Sequence, residues 1–241
     1  MRKVIITSGG TREKIDDFRL ITNVSTGKLG SMFAEYFYHM GWDVQFVHTQ
    51  HSQMPNIVEN WWDFDSINYS SRDSNITYHE VKSAQDAMNV LEKLVPQADV
   101  IIHAMAVADF GFKKDTNIKL KSDDPEALVE YIRSKIIVNP KIISNFRKWN
   151  TNKDLFIVSF KFEIDKTREE LCKIAHDSLS RNSCNLVVAN DKAEMIREKE
   201  HIGYVVYPEG YNIRVAGKGN IVKNIYSHVR DYFYNGNCYM E

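Results

Sequence analysis

Cysteine is scarce in this chain, and so is almost everything that would mark a secreted, metal-bound or membrane protein. The three cysteines, Cys172, Cys184 and Cys238, are odd in number and show no Cys-x-x-Cys spacing. That argues against a disulfide framework or a thiolate zinc site and favours a reducing compartment. The eight histidines form no HxxxH pair on a helix; His48 and His51 are neighbours without a cysteine partner, so no metal site built from protein nitrogen or sulfur is expected. No apolar run approaches the roughly 18 residues needed to span a bilayer. The run in "MRKVIITSGG" is too short for a signal peptide and reads as a first strand. Charge of one sign is also missing. A formal net charge of -1 gives no general attraction to nucleic acid or acidic membranes. The expectation is a cytoplasmic protein with neither as partner. Only five prolines are present, with no Pro/Ser linker and no internal repeat, so residues 1–241 read as one domain. That length can bury a sizeable core.

What is present alternates. "KVIIT" is a short β-branched run ending in Gly-Gly. Residues 27–40 place Leu29, Met32, Phe33, Phe37 and Met40 at helical spacing, with Gly41 behind them, and "DVQFVHT" returns to strand character. Residues 51–76 depart from this order. They are rich in Asn, Ser and aromatics, including Trp61 and Trp62, and read as an irregular excursion. Beyond it follow strand "ITYHEV", helix 84–94, strand "DVIIHAM", a helical stretch 126–149 interrupted at Asn139-Pro140, strand "DLFIVSFKF", helix 166–179 and strand "NLVVAN". "GYVVYP" and "YNIRVA" flank Glu209-Gly210 as a hairpin, and Ile221, Ile225, Val229 and Phe233 share one face of a last helix. The fold class is α/β: a Rossmann-like, doubly wound, mostly parallel sheet with a C-terminal β-hairpin and helix.

In such a sheet, ligands bind at the loops beyond the carboxyl ends of the strands. Four such loops carry unusual residues. The first, "TSGGTREKIDDFRLITNVSTGKLG", is far longer than the usual 2–6 residues of a βα loop. Gly9 and Gly10 would let backbone N–H groups approach an anion. Ser25, Thr26 and Gly27 open a helix whose free N–H groups suit phosphate. The spelling fits neither GxxxxGK[ST] nor GxGxxG. The competing reading makes Ser25 a helix cap and Lys28 a solvated side chain. In "HAMAVADF", small Ala104, Ala106 and Ala108 leave room for a ligand, and Asp109 is either a ligand contact, a metal ligand or a turn cap. In "NIKLKS", Lys119 and Lys121 lie on one side of an extended segment and either neutralise polyphosphate or are merely solvated. Phe160 could stack on a base and Asn190 could bond a base edge or sugar, both at strand ends of one face. No Ser-His-Asp or Cys-His arrangement is legible. The loops therefore suggest anion and nucleotide binding in which positioning and charge neutralisation carry the catalysis.

These motifs, with "KLK", "NP", "SFKFE" and "VVAND" in this order over nearly the whole chain, resemble phosphopantothenate–cysteine ligase, in its free-standing rather than its decarboxylase-fused form. The most specific part is Ser-Gly-Gly-Thr-x-Glu-x-Ile-Asp followed by Asn-x-Ser-Thr-Gly-x-x-Gly. The resemblance implies that the carboxylate of 4'-phosphopantothenate is activated by a nucleoside triphosphate to an acyl-nucleotidyl intermediate. Free L-cysteine then displaces the nucleotide to form an amide, in coenzyme A biosynthesis. It implies CTP (or ATP) as co-substrate, Mg2+, and a homodimer with a shared site. Carried over residue by residue, Asn23 would hold the carboxylate and the acyl intermediate. Gly9, Gly10, Ser25, Gly27 and Gly30 would cradle the triphosphate. Ala106 and Asp109 would contact substrate, nucleotide or metal, Lys119 or Lys121 would face phosphate, and Phe160 and Asn190 would touch the nucleotide. Met105 stands where many members have alanine. Ser178 and Asn182, with Arg181 close by, stand where fused forms carry two lysines, which leaves the base preference open. The alternatives are an NAD(P)-dependent oxidoreductase, which shares the sheet but wants a different glycine pattern and an acid after the second strand, and a non-catalytic nucleotide-binding module.

Overall fold

The computed structural model describes residues 1–57, 75–113, 124–151 and 154–234. In chain order the first half runs β1 (Lys3–Ser8), β2 (Arg12–Lys14), β3 (Leu20–Thr22), α1 (Lys28–His39), β4 (Asp43–Thr49), β5 (Asn75–Val81), α2 (Ala84–Leu94), β6 (Val100–His103), β7 (Phe110–Phe112) and α3 (Pro125–Lys135). The second half runs β8 (Ile136–Val138), α4 (Phe146–Trp149), β9 (Phe156–Glu163), α5 (Arg168–Asn182), β10 (Leu186–Asp191), α6 (Lys192–Glu198), β11 (Ile202–Val206), β12 (Asn212–Ala216) and α7 (Lys218–Tyr234).

Eight strands form the main sheet in the order β12-β11-β10-β9-β6-β1-β4-β5. From β5 to β10 every pairing is parallel, and β11 and β12 are antiparallel. The parallel part starts at its middle, runs outward through β4 and β5, then reverses through β6, β9 and β10. The switch of direction therefore falls between β1 and β6, where an open α/β sheet leaves a crevice at the carboxyl ends of its strands. Alternation along β1 shows both faces covered. Ile5 packs with Ala87, Leu91, Ala175 and Leu179 of α2 and α5, while Val4 and Ile6 pack with Phe33, Phe37, Ile221 and Ile225 of α1 and α7. Burying the central strands on two sides explains their continuous Val/Ile runs, which made them legible.

Two small sheets stand apart from the large one. The long first loop folds into the β2–β3 hairpin, and β7 pairs antiparallel with β8. The stretch read as helical over 126–149 is corrected. It is helix only to Lys135, Ile136–Val138 crosses to pair with Phe110–Phe112, and the helical segments after Pro140 are short. Three consecutive β-branched residues lose little by leaving a helix. The short helix α6 was not anticipated; Asp191 caps it by accepting from the Glu194 N–H. Most of the 51–76 excursion, with Trp61 and Trp62, lies outside the described residues, as do Lys119, Lys121 and Cys238. No described helix is long and apolar enough to cross a membrane.

Candidate active site

The loops after β1 and β6 are stitched together by backbone. Ala106 N–H donates to the Gly9 carbonyl at 2.8 Å and Thr11 N–H to the Ala106 carbonyl at 3.1 Å, so Gly10 and Ala106 form a parallel bridge. Thr11 Oγ1 accepts from the Ala108 N–H at 2.9 Å. Asn23 adds a side-chain clasp: its Nδ2 donates to the carbonyls of Ala106 at 3.3 Å and Val107 at 3.1 Å, while the residue stays exposed. The predicted carboxylate holder and the small-residue loop are therefore in direct contact.

The acidic residues of the first loop build it. Glu13 is buried and accepts the Ala84 N–H at the start of α2 (2.8 Å), supplying a partner for a helix-end donor that has none within the helix. Asp16 accepts from the Phe18 and Arg19 N–H groups at 2.8 and 2.7 Å and pairs with the Arg19 guanidinium at 2.6 Å, fixing the hairpin turn.

The glycines also meet a packing demand beyond the anion approach the sequence suggested. A side chain at Gly9 would stand 2.2 Å from Thr49 Oγ1, and one at Gly10 2.3 Å from the Asn23 carbonyl. One at Gly27 would stand 2.0 Å from Ser52 Oγ, and one at Gly30 2.6 Å from Ser8 Oγ. Their missing Cβ atoms face protein, so the glycines let the loop lie against β1 and the residues after β4. Ser8 Oγ donates to the Gly27 carbonyl at 2.9 Å and is itself 2.7 Å from Ser52 Oγ, and Gln53 N–H donates to the Thr26 carbonyl. The first residues of the excursion thus brace the start of α1. Gly27 occupies the N-cap position with φ 72° and no side-chain cap is made, so Ser25 is not a helix cap.

Two cavities open beside these loops. One, of about 310 Å³, is lined by Val24 to Gly30, Ala104 to Ala106, Phe160, Phe162, Asn190, His201 and Lys218. The other, of 350 Å³, takes in Asp109, Asn139, Lys141 and Arg181. Both sizes fall in the range of small-molecule sites. Met105, Ala106, Phe160 and Phe162 line both, so the two adjoin. Phe160 is seated edge-on against Phe33 of α1, with ring centroids 6.0 Å apart. Asn190 is buried and its Nδ2 donates to the Ile202 carbonyl, which leaves its amide held by β11.

The first cavity is cationic. Lys218 has its pKa lowered by burial and then by Lys28, and His201 is pushed down to about 4 by burial and then by Lys218. Among the described residues no acid lines it, and Asp109 is the only acid lining either cavity. Asp109 is ion-paired with Lys141 on an exposed rim, and Asn139 bonds the backbone of Ala108 and Asp109. The described residues contain no cluster of three or more His, Cys, Asp or Glu that could hold a metal. A single carboxylate fits Mg2+ only as one ligand of an ion held chiefly by phosphates. Sequence reasoning missed His201, Lys218, Lys141 and Phe162. Phe162 was legible as the residue two beyond Phe160 on the same strand face, and Gly217-Lys218-Gly219 at a strand-to-helix junction was a visible phosphate-site signal.

The sheet and its loops define a doubly wound α/β protein with an anion-suited site at the switch point. Sheet order alone is shared with dinucleotide oxidoreductases, but here residues 9–27 separate β1 from α1 and β4 ends in Val47, His48 and Thr49 without an acid for a ribose hydroxyl. The chain belongs to the DNA/pantothenate metabolism flavoprotein C-terminal domain family, whose profile matches residues 1–232. It is 32% identical over 191 residues to the coenzyme A biosynthesis bifunctional protein CoaBC of Thermococcus kodakarensis, covering 78% of this chain and 41% of that protein. It is 30% identical over 189 residues to the protein of the same name in Methanocaldococcus jannaschii, covering 78% and 40%. The chain thus spans about two fifths of the length of these curated relatives. A crystal structure of the DNA/pantothenate metabolism flavoprotein from Streptococcus pneumoniae superposes with a TM-score of 0.78 at 26% identity, over 96% of this chain and all of that one. Cab2 carrying a histidine-to-alanine mutation, in complex with phosphopantothenate-cysteine, shares the fold with a TM-score of 0.69 at 19% identity, over 97% and 88%.

Proposed function

We propose that this chain is a phosphopantothenate–cysteine ligase, using CTP in preference to ATP. Family membership and the coenzyme A role named for its relatives support the reading. The observation that carries it is the position of Asn23. Its amide clasps the Ala106–Val107 backbone at the seam between two adjoining cavities, where an acid and a nucleotide can be brought together.

An uncharged amine does not displace oxide from a carboxylate, so the acid must first be activated. A carboxylate oxygen of 4'-phosphopantothenate attacks the α-phosphorus of the nucleotide, and the bond to the bridging oxygen breaks to release pyrophosphate. The amine of L-cysteine then attacks the acyl carbon, nucleoside monophosphate leaves, and the nitrogen loses a proton. The phosphate chain lies at the Ser25–Gly30 helix start beside Lys28, with the base against Phe160 and Asn190 nearby. Asn23 must release a carbonyl to hold the acid, and its longer bond to Ala106 is the one to yield. Asp109, once Lys141 moves aside, would hold Mg2+ together with nucleotide phosphates, and the ion would supply charge neutralisation. Lys119 or Lys121, in the segment that follows β7, provides a further phosphate contact. Ala106 lies against the acid.

The working unit is a homodimer with a shared site, in the cytoplasm. Apolar side chains exposed on the first loop and on the β7–β8 ribbon support an interface there, among them Phe18 at 72% and Val138 at 87% exposure. Pyrophosphate release with CTP, ATP, GTP and UTP in parallel, with and without cysteine, tests the reaction. Release requires the nucleotide and phosphopantothenate together, and no release with any nucleotide overturns the reading. Asn23→Ala should bind nucleotide within about threefold of the wild type yet lose roughly 100-fold in amide formation.

A further inference from the structure

We infer that Lys218 is a phosphate-binding residue of the first cavity, acting together with Lys28. This rests on the reading of that cavity as the phosphate end of the site. Lys218 opens α7, a 17-residue helix, directly after Gly217 at φ 85°. The Ile221 N–H is the first to bond back, to the Gly217 carbonyl, so the N–H groups of Lys218, Gly219 and Asn220 precede the helical ladder. Lys218 lines the cavity together with residues 24–30, which open α1. Two helix starts therefore converge on one space, each bringing a lysine.

Among the described residues the charges there do not balance. Among the described residues no hydrogen bond or ion pair engages the Lys218 ammonium, although the residue is only partly exposed. Glu200 approaches the α-carbon of Gly217, with Oε1 3.3 Å from where a Cβ would stand, but it does not line the cavity. Burial and Lys28 lower the Lys218 pKa, the mark of two cations facing one another without a counterion, and His201 beside them is held neutral. Holding the part-buried Lys218 ammonium beside the exposed Lys28 opposes folding unless an anion joins them. A phosphate chain offers several oxygens to both lysines and to the free N–H groups. The same chemistry fits the triphosphate of the nucleotide and the phosphate of phosphopantothenate.

The test is binding of inorganic tripolyphosphate, CTP, ATP, cytidine and 4'-phosphopantothenate, each titrated separately by calorimetry into wild type, Lys218→Met and Lys218→Arg. Lys218→Met should weaken at least one phosphate ligand by about tenfold or more, with cytidine unchanged and Lys218→Arg retaining most of the affinity. A loss confined to tripolyphosphate and nucleotides assigns the contact to the triphosphate. A loss confined to phosphopantothenate assigns it to the acid. Footprinting of the wild-type protein with a lysine-acylating reagent is independent of any variant's folding, and Lys218 should be protected by the same ligand. Unchanged affinity for all phosphate ligands, or no protection of Lys218 by any of them, overturns the inference. Pyrophosphate release by the unmodified protein tests the ligase reading separately.

Discussion

Gly27→Ala puts the loop reading at risk in a quantitative way. The residue sits at φ 72°, where a Cβ is disfavoured by roughly 1–2 kcal/mol. The new methyl would also lie 2.0 Å from Ser52 Oγ, 2.7 Å from Ser8 Oγ and 3.0 Å from Ser52 Cβ. Both serines are buried, and Ser8 can turn away only by giving up its bond to the Gly27 carbonyl. Overpacking of this kind costs about 1–3 kcal/mol, so the combined loss is roughly 2–5 kcal/mol, or about 5–15 °C in Tm for a chain of this size. Ser52→Gly removes the nearest obstacle and leaves the backbone strain. Alone it forfeits one buried hydrogen bond, about 1 kcal/mol. In a double-mutant cycle read by urea unfolding, the double variant should therefore recover about 1–2 kcal/mol relative to the sum of the singles. If the nucleotide binds at this helix start as proposed, its affinity should recover in parallel. Additivity to within about 0.5 kcal/mol would show that Ser52 is not what Gly27 accommodates, and the account of the glycines would fall.

Acid should unfold this protein early. Burial holds the pKa of His39, His79, His103, His201 and His228 below the usual value, with His103 and His201 at about 4. The unfolded chain then binds more protons as pH falls below 6.5, so stability drops between pH 6.5 and 4, by about 3 kcal/mol for His103 alone; urea midpoints unchanged from pH 7 to 4.5 would refute this. Glu13→Ala removes the acceptor from the start of α2 and should cost about 1.5–3 kcal/mol in urea unfolding, a loss under about 0.5 kcal/mol counting against the capping role. Lys141→Met breaks an exposed pair and should leave Tm unchanged, since such pairs contribute about 0–1 kcal/mol. It should also lower the Mg2+ concentration needed for half-maximal turnover, and a higher requirement would show that Asp109 does not serve the metal.

What could be read in advance depended on whether its cause was local. α2 was legible to the residue, because Ser83 and Asp86 form a reciprocal cap and Ala84, Ala87 and Leu91 repeat along one buried face. β9 and β10 were legible because strands buried on both sides become unbroken apolar runs. The β2–β3 hairpin was not, since three-residue strands flanked by charged residues have no periodicity to show. β8 was mistaken for helix because its partner, Phe110–Phe112, lies far back in the chain. The packing role of Gly9, Gly27 and Gly30 was not legible, because the side chains they make room for, Ser8, Thr49 and Ser52, belong to other segments and announce nothing locally.

The same distinction explains why Asn23 could be singled out while its present partners could not. The family resemblance singles it out as the residue that would hold the carboxylate. The structure turns its amide across the switch point to the far loop, beside the Gly10–Ala106 bridge. A nucleotide at the Ser25–Gly30 helix start would pull on one side of this clasp, and an acid competing for its two protons would pull on the other. An asparagine suits both demands because its neutral amide satisfies carbonyls without a ligand and can donate to a carboxylate with one. Aspartate would repel both. Lysine would hold the acid but could not lie between two carbonyls as a planar pair of donors. On the proposed reading, the residue type would follow from the exchange between those two states rather than from either state alone.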